Sequence, residues 1–327
     1  MISDEALIRF LSDGNFHSGV DIGLQLGVSR TAIWKRLRKL TALGLSVESV
    51  RGRGYRLSQK VELLDKETIT ASLSQQTKAT VNELYVLPVI DSTNNYLLER
   101  LRTRRAGPCA NICLAEYQSS GRGRRGRPWV SPYGSNLYLS VDWQFEGGVA
   151  ALEGLSLAVG VVIAKSLSSM GVADVSLKWP NDILINGAKL GGILIDVRGD
   201  HAGPCRIVVG VGVNVNMSNQ CVDIDQLWVD LKSVCGDISR NLLAANMIER
   251  LITLLATFEL TGLTPYVAQW QRLDAFSGKA VDIVTGDQKI TGVCCGIAAN
   301  GALIIDSDGD RKQMHGGELS LRLSDES

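Results

Sequence analysis

The sequence predicts an α+β chain in three parts: an N-terminal winged helix-turn-helix, a central domain around a mixed sheet, and a small SH3-like β-barrel at the C-terminus. Three observations carry this. The first sixty residues hold short, capped, amphipathic segments followed by two β-like runs around a glycine-rich turn. Strand-like and helix-like stretches then alternate, with enough hairpin signals to favour a mixed or antiparallel sheet. From residue 274 on, short β-like runs alternate with turns. The expected boundaries are 1–60, 67–273 and 274–327, with Val61 to Glu67 as the first link.

In the N-terminal part, Asp4 is placed to cap a helix carrying Leu7, Ile8 and Leu11 on one side. Ser18 caps a second helix ending near Gly27, and Ser29 a third, with Ile33, Leu37 and Leu40 inward and Gly44 as the stop. Val47 to Leu57, broken at Arg51-Gly52-Arg53-Gly54, reads as a wing. Arg30 to Arg56 holds eight basic residues and one acidic residue. The expected DNA contacts are Ser29, Arg30, Thr31, Trp34, Lys35 and Arg36 on the third helix, with Arg51 and Arg53 of the wing on phosphates. A basic protein-docking domain is the alternative.

In the central part, Leu84 to Ile90 reads as a strand and Ser92 or Thr93 as the cap of a helix carrying Tyr96, Leu97 and Leu101. Further strands are read at Ile112–Tyr117, Asn136–Trp143, Val175–Asp196 and Ile207–Asn216, and helices at Leu152–Leu167, Arg240–Glu259 and Pro265–Trp270. The C-terminal turns fall at Thr285-Gly286-Asp287, Asn300-Gly301 and Asp306-Ser307-Asp308-Gly309. The last has its glycine misplaced for a calcium loop and reads as a hairpin.

Composition narrows the function. The 327 residues carry 34 basic and 34 acidic side chains, yet residues 1–60 have a net charge of +5 and the remainder −5, so the head alone is suited to a polyanion. The longest nearly apolar stretch, Gly154 to Ala164, is about half a membrane span, and the N-terminus lacks a signal-peptide pattern. A soluble, cytoplasmic protein with no membrane partner is expected. Seven cysteines without a C-x-x-C pair read as reduced thiols, and His17, His201 and His315 are too scattered for a structural metal site, His201-x3-Cys205 having no second pair.

Three segments carry the chemistry. Gly121-Arg122-Gly123-Arg124-Arg125-Gly126-Arg127 matches G-x-G-x-x-G, but Pro128-Trp129-Val130-Ser131-Pro132 cannot open a helix, which excludes a dinucleotide loop. Arginines on a glycine-rich loop suit carboxylate or phosphate; a solvated basic loop is the alternative. In Lys178-Trp179-Pro180-Asn181-Asp182 through Leu194, Asn186-Gly187 forms a hairpin turn, and alternation puts Lys189, Gly191 and Ile193 on one face. Along Val209 to Asn216, Val211, Val213 and Val215 take the core face, leaving Gly210, Gly212, Asn214 and Asn216 to make room for a ligand. No P-loop, G-x-S-x-G motif or Cys–His pair is present, so positioning and electrostatics are expected rather than covalent catalysis.

With Asp91-Ser92-Thr93-Asn94 and Gln118, these motifs in this order resemble the biotin–protein ligases, specifically the bifunctional bacterial type that also represses the biotin operon. The likeness runs over essentially the whole chain. It implies two half-reactions: ATP, carried with Mg2+, activates biotin as biotinyl-5′-AMP, and a lysine of the biotin carboxyl carrier protein then takes the biotin. By that resemblance Ser92, Thr93, Asn94 and Gln118 hold biotin, and Gly121, Arg122, Gly123 and Arg124 form the loop that closes over it. Lys189 meets the carboxylate or acyl phosphate; Asn181, Asp182 and Asn214 serve the nucleotide and metal side, and Lys178 lies near the phosphate. Trp129 joins the lid and Trp228 covers the adenine. No protein-bound metal beyond the Mg2+ of ATP is implied. The resemblance also implies a homodimer, formed with biotinyl-AMP bound, that binds biotin operator DNA. A lipoate–protein ligase and a metabolite-sensing transcription factor are the rival readings.

Overall fold

The computed structural model describes residues 4–101, 109–199, 203–217, 224–285, 288–315 and 319–324. Helix α1 (Asp4–Leu11) buries Leu7, Ile8 and Leu11; Asp4, expected as its cap, is its first residue. Ser18 accepts a hydrogen bond from the Asp21 amide to start α2 (Gly19–Leu26), which ends on left-handed Gly27. Ser29 does the same through the Ala32 amide for α3 (Arg30–Ala42), whose Ile33, Leu37 and Leu40 enter the head's core. Strands β1 (Val47–Val50) and β2 (Gly54–Leu57) pair antiparallel, and His17 bridges to Tyr55.

Two helices follow that the sequence reading did not contain, α4 (Lys66–Ala71) and α5 (Gln75–Thr80), capped by Asp65 and Ser74. The central sheet comprises β3 (Val81–Leu87), β4 (Ala110–Ala115), β5 (Asn136–Phe145), β6 (Val175–Lys178), β7 (Asp182–Ile185), β8 (Ala188–Gly199) and β9 (Cys205–Asn214). Their order is β3-β4-β5-β9-β8-β7-β6; only β3 and β4 run parallel, so the sheet is mixed as expected. Helix α6 (Thr93–Arg100) follows β3. Helix α7 (Leu155–Ser169), the short α8 (Leu231–Cys235), α9 (Arg240–Thr261) and α10 (Thr264–Leu273) complete this part. By length and hydropathy, Val149–Ser169 and Arg240–Thr261 could each cross a membrane; here α7 and α9 supply the buried core against the sheet.

Beyond them β10 (Ala280–Thr285), β11 (Gln288–Ile297), β12 (Leu303–Ser307), β13 (Asp310–Met314) and β14 (Leu319–Leu323) form an antiparallel sheet in the order β13-β12-β11-β10-β14. The β13–β14 pairing that would close it is not among the pairings of the described residues. Asp306 accepts from the Gly309 amide inside the β12–β13 hairpin, the turn expected there. Gly286 and Asp287, of another expected turn, lie outside the described residues, as do His201 and Cys221. The six described cysteines are free, and burial pushes the Cys113 and Cys294 thiols up to about 12.

One side chain joins the link from the head to the central part. Arg240, at the start of α9, is buried and ion-paired with the equally buried Glu116 at 2.8 Å. Its guanidinium also donates to the carbonyls of Asn136 and Glu62, at 2.7 and 2.6 Å. The Glu62 carboxylate accepts from the Ser239 hydroxyl, the Asn241 side-chain amide and the Arg240 backbone amide. Removing only the cation would strand Glu116 in the core. Arg240→Met is therefore expected to lower stability by about 3–5 kcal/mol, read as a lower urea midpoint, with Glu116→Gln in the same chain recovering part of the loss. An unchanged midpoint would show that the pair contributes nothing.

Candidate active site

A cavity of about 1120 Å3 opens on one face of the central sheet, walled by the 121–130 loop, the β6–β8 segment, the loop carrying Trp228 and the base of the C-terminal sheet. Ser92 occupies the N-cap position of α6, but its side chain makes no capping bond. Gln118 supplies the acceptor instead: its Oε1 takes the Thr93 amide at 2.9 Å and the Thr93 hydroxyl at 3.1 Å. Buried Ser140 of β5 lies 2.7 Å from the Thr93 hydroxyl and 2.6 Å from Asn94 Oδ1. This end of the cavity is thus a pre-wired polar subsite, in which the buried hydroxyls of Thr93 and Ser140 have partners.

The 121–130 loop leaves the sheet between β4 and β5 and folds back on itself. Trp129 donates its amide to Gly121 O at 2.8 Å, and Gly123 donates to Arg127 O at 2.8 Å. A short 3-10 turn spans Arg124–Gly126, with Arg125 left-handed (φ 60), and no α-helix follows, in agreement with the rejection of a dinucleotide loop. Arg122 Nη2 sits 2.9 Å from Asp196 and 3.2 Å from Asn95 Oδ1. Arg124 Nη1 reaches Asn181 Oδ1 at 3.4 Å, and its burial pulls the guanidinium's pKa down.

Lys189 enters from β8. Its Nζ is 2.8 Å from Asp182 Oδ1 and 5.7 Å from the centre of the Trp129 ring. The expected face for Lys189 is overturned. β7 pairs Leu184 with Lys189 but Ile183 with Gly191, so Leu190 is an extra residue, a bulge. After it, alternation is inverted: Gly192 sits beside Lys189 Cε and Trp129, whereas Leu190 and Ile193 enter the core. Gly191 is packed against the Gly212 carbonyl.

The glycine-lined strand behaves as expected on its core side, where Val211, Val213 and Val215 are buried. On the other side the room is partly filled by the protein itself. A Cβ on Gly212 would fall 2.9 Å from Trp129 Cε2, and one on Gly210 would meet the Asn94 amide. Asn214 Nδ2 donates to Val229 O at 3.1 Å, and Lys189 exchanges backbone bonds with Leu227 and Val229. That bridging places Trp228 on the cavity wall beside Lys189. Lys178, over the Phe276 ring at 5.2 Å, lines the rim.

The cavity therefore gathers Ser92, Thr93, Asn94, Gln118, Arg122, Gly123, Arg124, Trp129, Lys178, Asn181, Asp182, Lys189, Asn214 and Trp228. Gly121 is set behind it, between Ser131, Gln118 and the Trp129 carbonyl. Sequence reasoning missed Ser140, Ser131 and Asp196, since single polar residues inside strands carry no motif. It also missed Phe276, Lys279 and Arg322, wall residues from the C-terminal part. Among the described residues no cluster of three His, Cys, Asp or Glu side chains is arranged around a metal ion.

The head presents a separate surface. Thr31, Trp34, Lys35, Arg51 and Arg53 are exposed, as is Ser29, while Arg36 is half-buried; the Arg30 side chain lies outside the described residues. Arg38 stacks on the exposed Trp34 ring at 5.1 Å. Arg53 and Arg56 stack on Phe16 at 4.4 and 4.5 Å, and Arg56 is ion-paired with Glu48 at 2.8 Å.

All three parts of the chain match known protein families. Residues 86–214 match the biotin/lipoate A/B protein ligase family, residues 4–56 an HTH domain, and residues 276–322 the biotin protein ligase C-terminal domain. The bifunctional ligase/repressor of Salmonella typhimurium is 44% identical over 97% of this chain and 96% of its own length. That of Escherichia coli is 43% identical over the same shares. The structure of Aquifex aeolicus biotin protein ligase in complex with biotin and ATP superposes with a TM-score of 0.63 at 28% identity, covering 74% of this chain and 100% of that one.

The close approach of Trp129 to Gly212 makes a local prediction. Gly212→Ala is expected to displace the Trp129 ring without unfolding the sheet. The expected outcome is a changed near-ultraviolet circular dichroism band with an unchanged far-ultraviolet spectrum; identical near-ultraviolet spectra would mean that the ring does not rest on Gly212.

Proposed function

The chain belongs to the bifunctional ligase/repressor family, and from that membership we propose that it joins biotin to a lysine of the biotin carboxyl carrier protein and represses the biotin operon. The observation that carries the ligase half is the convergence of Lys189, Arg122 and Arg124 on one cavity floored by the Gly210–Asn214 strand. A carboxylate and a triphosphate repel each other, and three cations in a partly dehydrated site offset that repulsion where charge builds at phosphorus. Pairing does not disable them: Lys189 is held by Asp182 and Arg122 by Asp196, so each is already positioned when ligand arrives.

In the first half-reaction a biotin carboxylate oxygen attacks the α-phosphorus of ATP, and pyrophosphate leaves with the electrons of the broken P–O bond. Thr93, Gln118 and Ser92 form the subsite for the biotin head, and Lys189 and Arg122 take the charge of the acyl phosphate. Trp228 and Asn214 face the adenosine, with Lys178 at the phosphate rim. Mg2+ enters with ATP, and Asp182 and Asn181 are oxygen donors of the kind it takes. In the second half-reaction the carrier lysine attacks the acyl carbon and AMP leaves. The anhydride is hydrolysed by water, so the 121–130 loop and Trp129 serve as its cover.

We infer the domain limits 1–60, 67–273 and 274–327, a cytoplasmic location, and a homodimer that forms when biotinyl-AMP is bound and places two heads on operator DNA. Ser29, Arg30, Thr31, Trp34, Lys35 and Arg36 are the groove residues; Arg51 and Arg53 meet the backbone.

Biotin-dependent ATP–pyrophosphate exchange, with lipoate as control, tests the ligase reading; exchange with lipoate alone would reassign it. Lys189→Ala is expected to lower the exchange rate by about a hundredfold or more while leaving the far-ultraviolet circular dichroism spectrum unchanged, and wild-type exchange would remove Lys189 from the mechanism. For the repressor half, Arg51→Ala with Arg53→Ala is expected to weaken binding to all DNA sequences alike and to reduce the salt slope by about 2. A slope equal to wild type would take both residues off the phosphates.

A further inference from the structure

Asp196 belongs to none of the motifs above, yet its carboxylate joins two parts of the site. It stands on β8 four residues beyond the last pairing with β7, in register with Val208 of β9, and outside the cavity wall, which ends at Leu194. One oxygen, Oδ2, lies 2.9 Å from Arg122 Nη2 and 2.7 Å from Asn94 Nδ2. Asn94 Oδ1 is in turn within 2.6 Å of the Ser140 hydroxyl. From Ser140 contacts run through the Thr93 hydroxyl to Gln118, and from Gln118 Nε2 to Ser131 Oγ, which donates to Trp129 O at 3.0 Å. The chain of contacts thus starts at one end of the loop, passes beneath the head-group subsite, and returns to the other end.

We propose that Asp196 is a positioning residue: it anchors the loop through Arg122 and ties loop closure to the subsite around Asn94 and Thr93. Three features support this. The pair is only partly exposed, at 33% for Arg122 and 20% for Asp196, so it is less screened than a surface ion pair. Arg122 uses Nη2 alone for Asp196 and Asn95, so Nε and Nη1 are not committed by these contacts, and the anchor persists when Arg122 meets an anion. Lys189 differs, because its partner Asp182 lies within the cavity lining and ligand must share or displace it. Asp196 is placed to act before binding, by sparing the ligand the cost of ordering the loop. The proposal rests on the ligase reading only for the identity of the ligand.

The test uses the full-length protein and the four arginines of the loop. Without ligand, Asp196→Asn is expected to be cut by trypsin at Arg125 about threefold or more faster than wild type, with cleavage elsewhere unchanged and D196E returning to the wild-type rate. R122M is expected to match D196N, and the double variant to be no faster than either. In biotin-dependent exchange, D196N is expected to raise KM for biotin about tenfold with kcat within about twofold. Wild-type cleavage of D196N, additive effects of the two substitutions, faster cleavage all over the chain, or a lowered KM would each overturn the proposal. The last would mean that Asp196 competes with the ligand for Arg122. If wild type shows no biotin-dependent exchange, the ligase reading fails, and the ligand-free cleavage arm still decides the anchor.

Discussion

The ion pair of Arg240 with Glu116 is the constraint on which the rest is hung. Both side chains are almost wholly buried, so each would be costly alone, and their attraction stabilises the fold only with the geometry intact. That geometry has consequences in three directions. Glu116 immediately follows β4 and Asn136 begins β5, so one guanidinium holds the two points where the chain leaves and re-enters the sheet to form the arginine loop. The same guanidinium and its own amide hold Glu62, in the link from the head. One buried guanidinium thus touches both ends of the arginine loop's anchorage and the link from the head.

Within the cavity, the cations have partners before any ligand arrives, and those partners differ in kind. Asp182 holds Lys189 inside the lining, Asp196 holds Arg122 from outside it, and neutral Asn181 is one contact of Arg124. An anion entering the site meets charge already aimed, so little reorganisation is left for the reaction step. The tryptophans contribute shape: Trp129 rests on Gly212 and Trp228 is brought in by backbone bonds to Lys189. Both rings thereby line the cavity, with Gly210, Gly212 and Asn214 of β9 on the same lining.

The head is joined to this site by more than a tether. Tyr133, four residues past Trp129, is buried in the head's core and donates its amide to Leu43 O at 3.0 Å, at the end of α3. Pro132 packs against Gly44, one residue further on. The segment that leaves the arginine loop thus touches the C-terminal end of the helix expected to meet DNA before β5 begins.

What the sequence determined by itself is whatever depends on neighbours in the chain. Ser18 and Ser29 start their helices, Gly27 ends one, and Asn186-Gly187 turns a hairpin, because caps and turns are satisfied within a few residues. Valines at period two on β9 marked its core face for the same reason, and motif order was enough to indicate the family and most of the cavity lining. What only the tertiary structure decided is whatever depends on partners far along the chain. Leu190 is a bulge because β7 pairs past it, and that one extra residue puts Gly192, rather than Gly191, beside Lys189 at the cavity. Gln118, not Ser92, caps α6 from 25 residues away, and Asp196 meets Arg122 across 74. Contacts at such separation leave no periodicity in the sequence, because the residues between them are free to form their own elements, and the packing of the sheet alone brings the ends together.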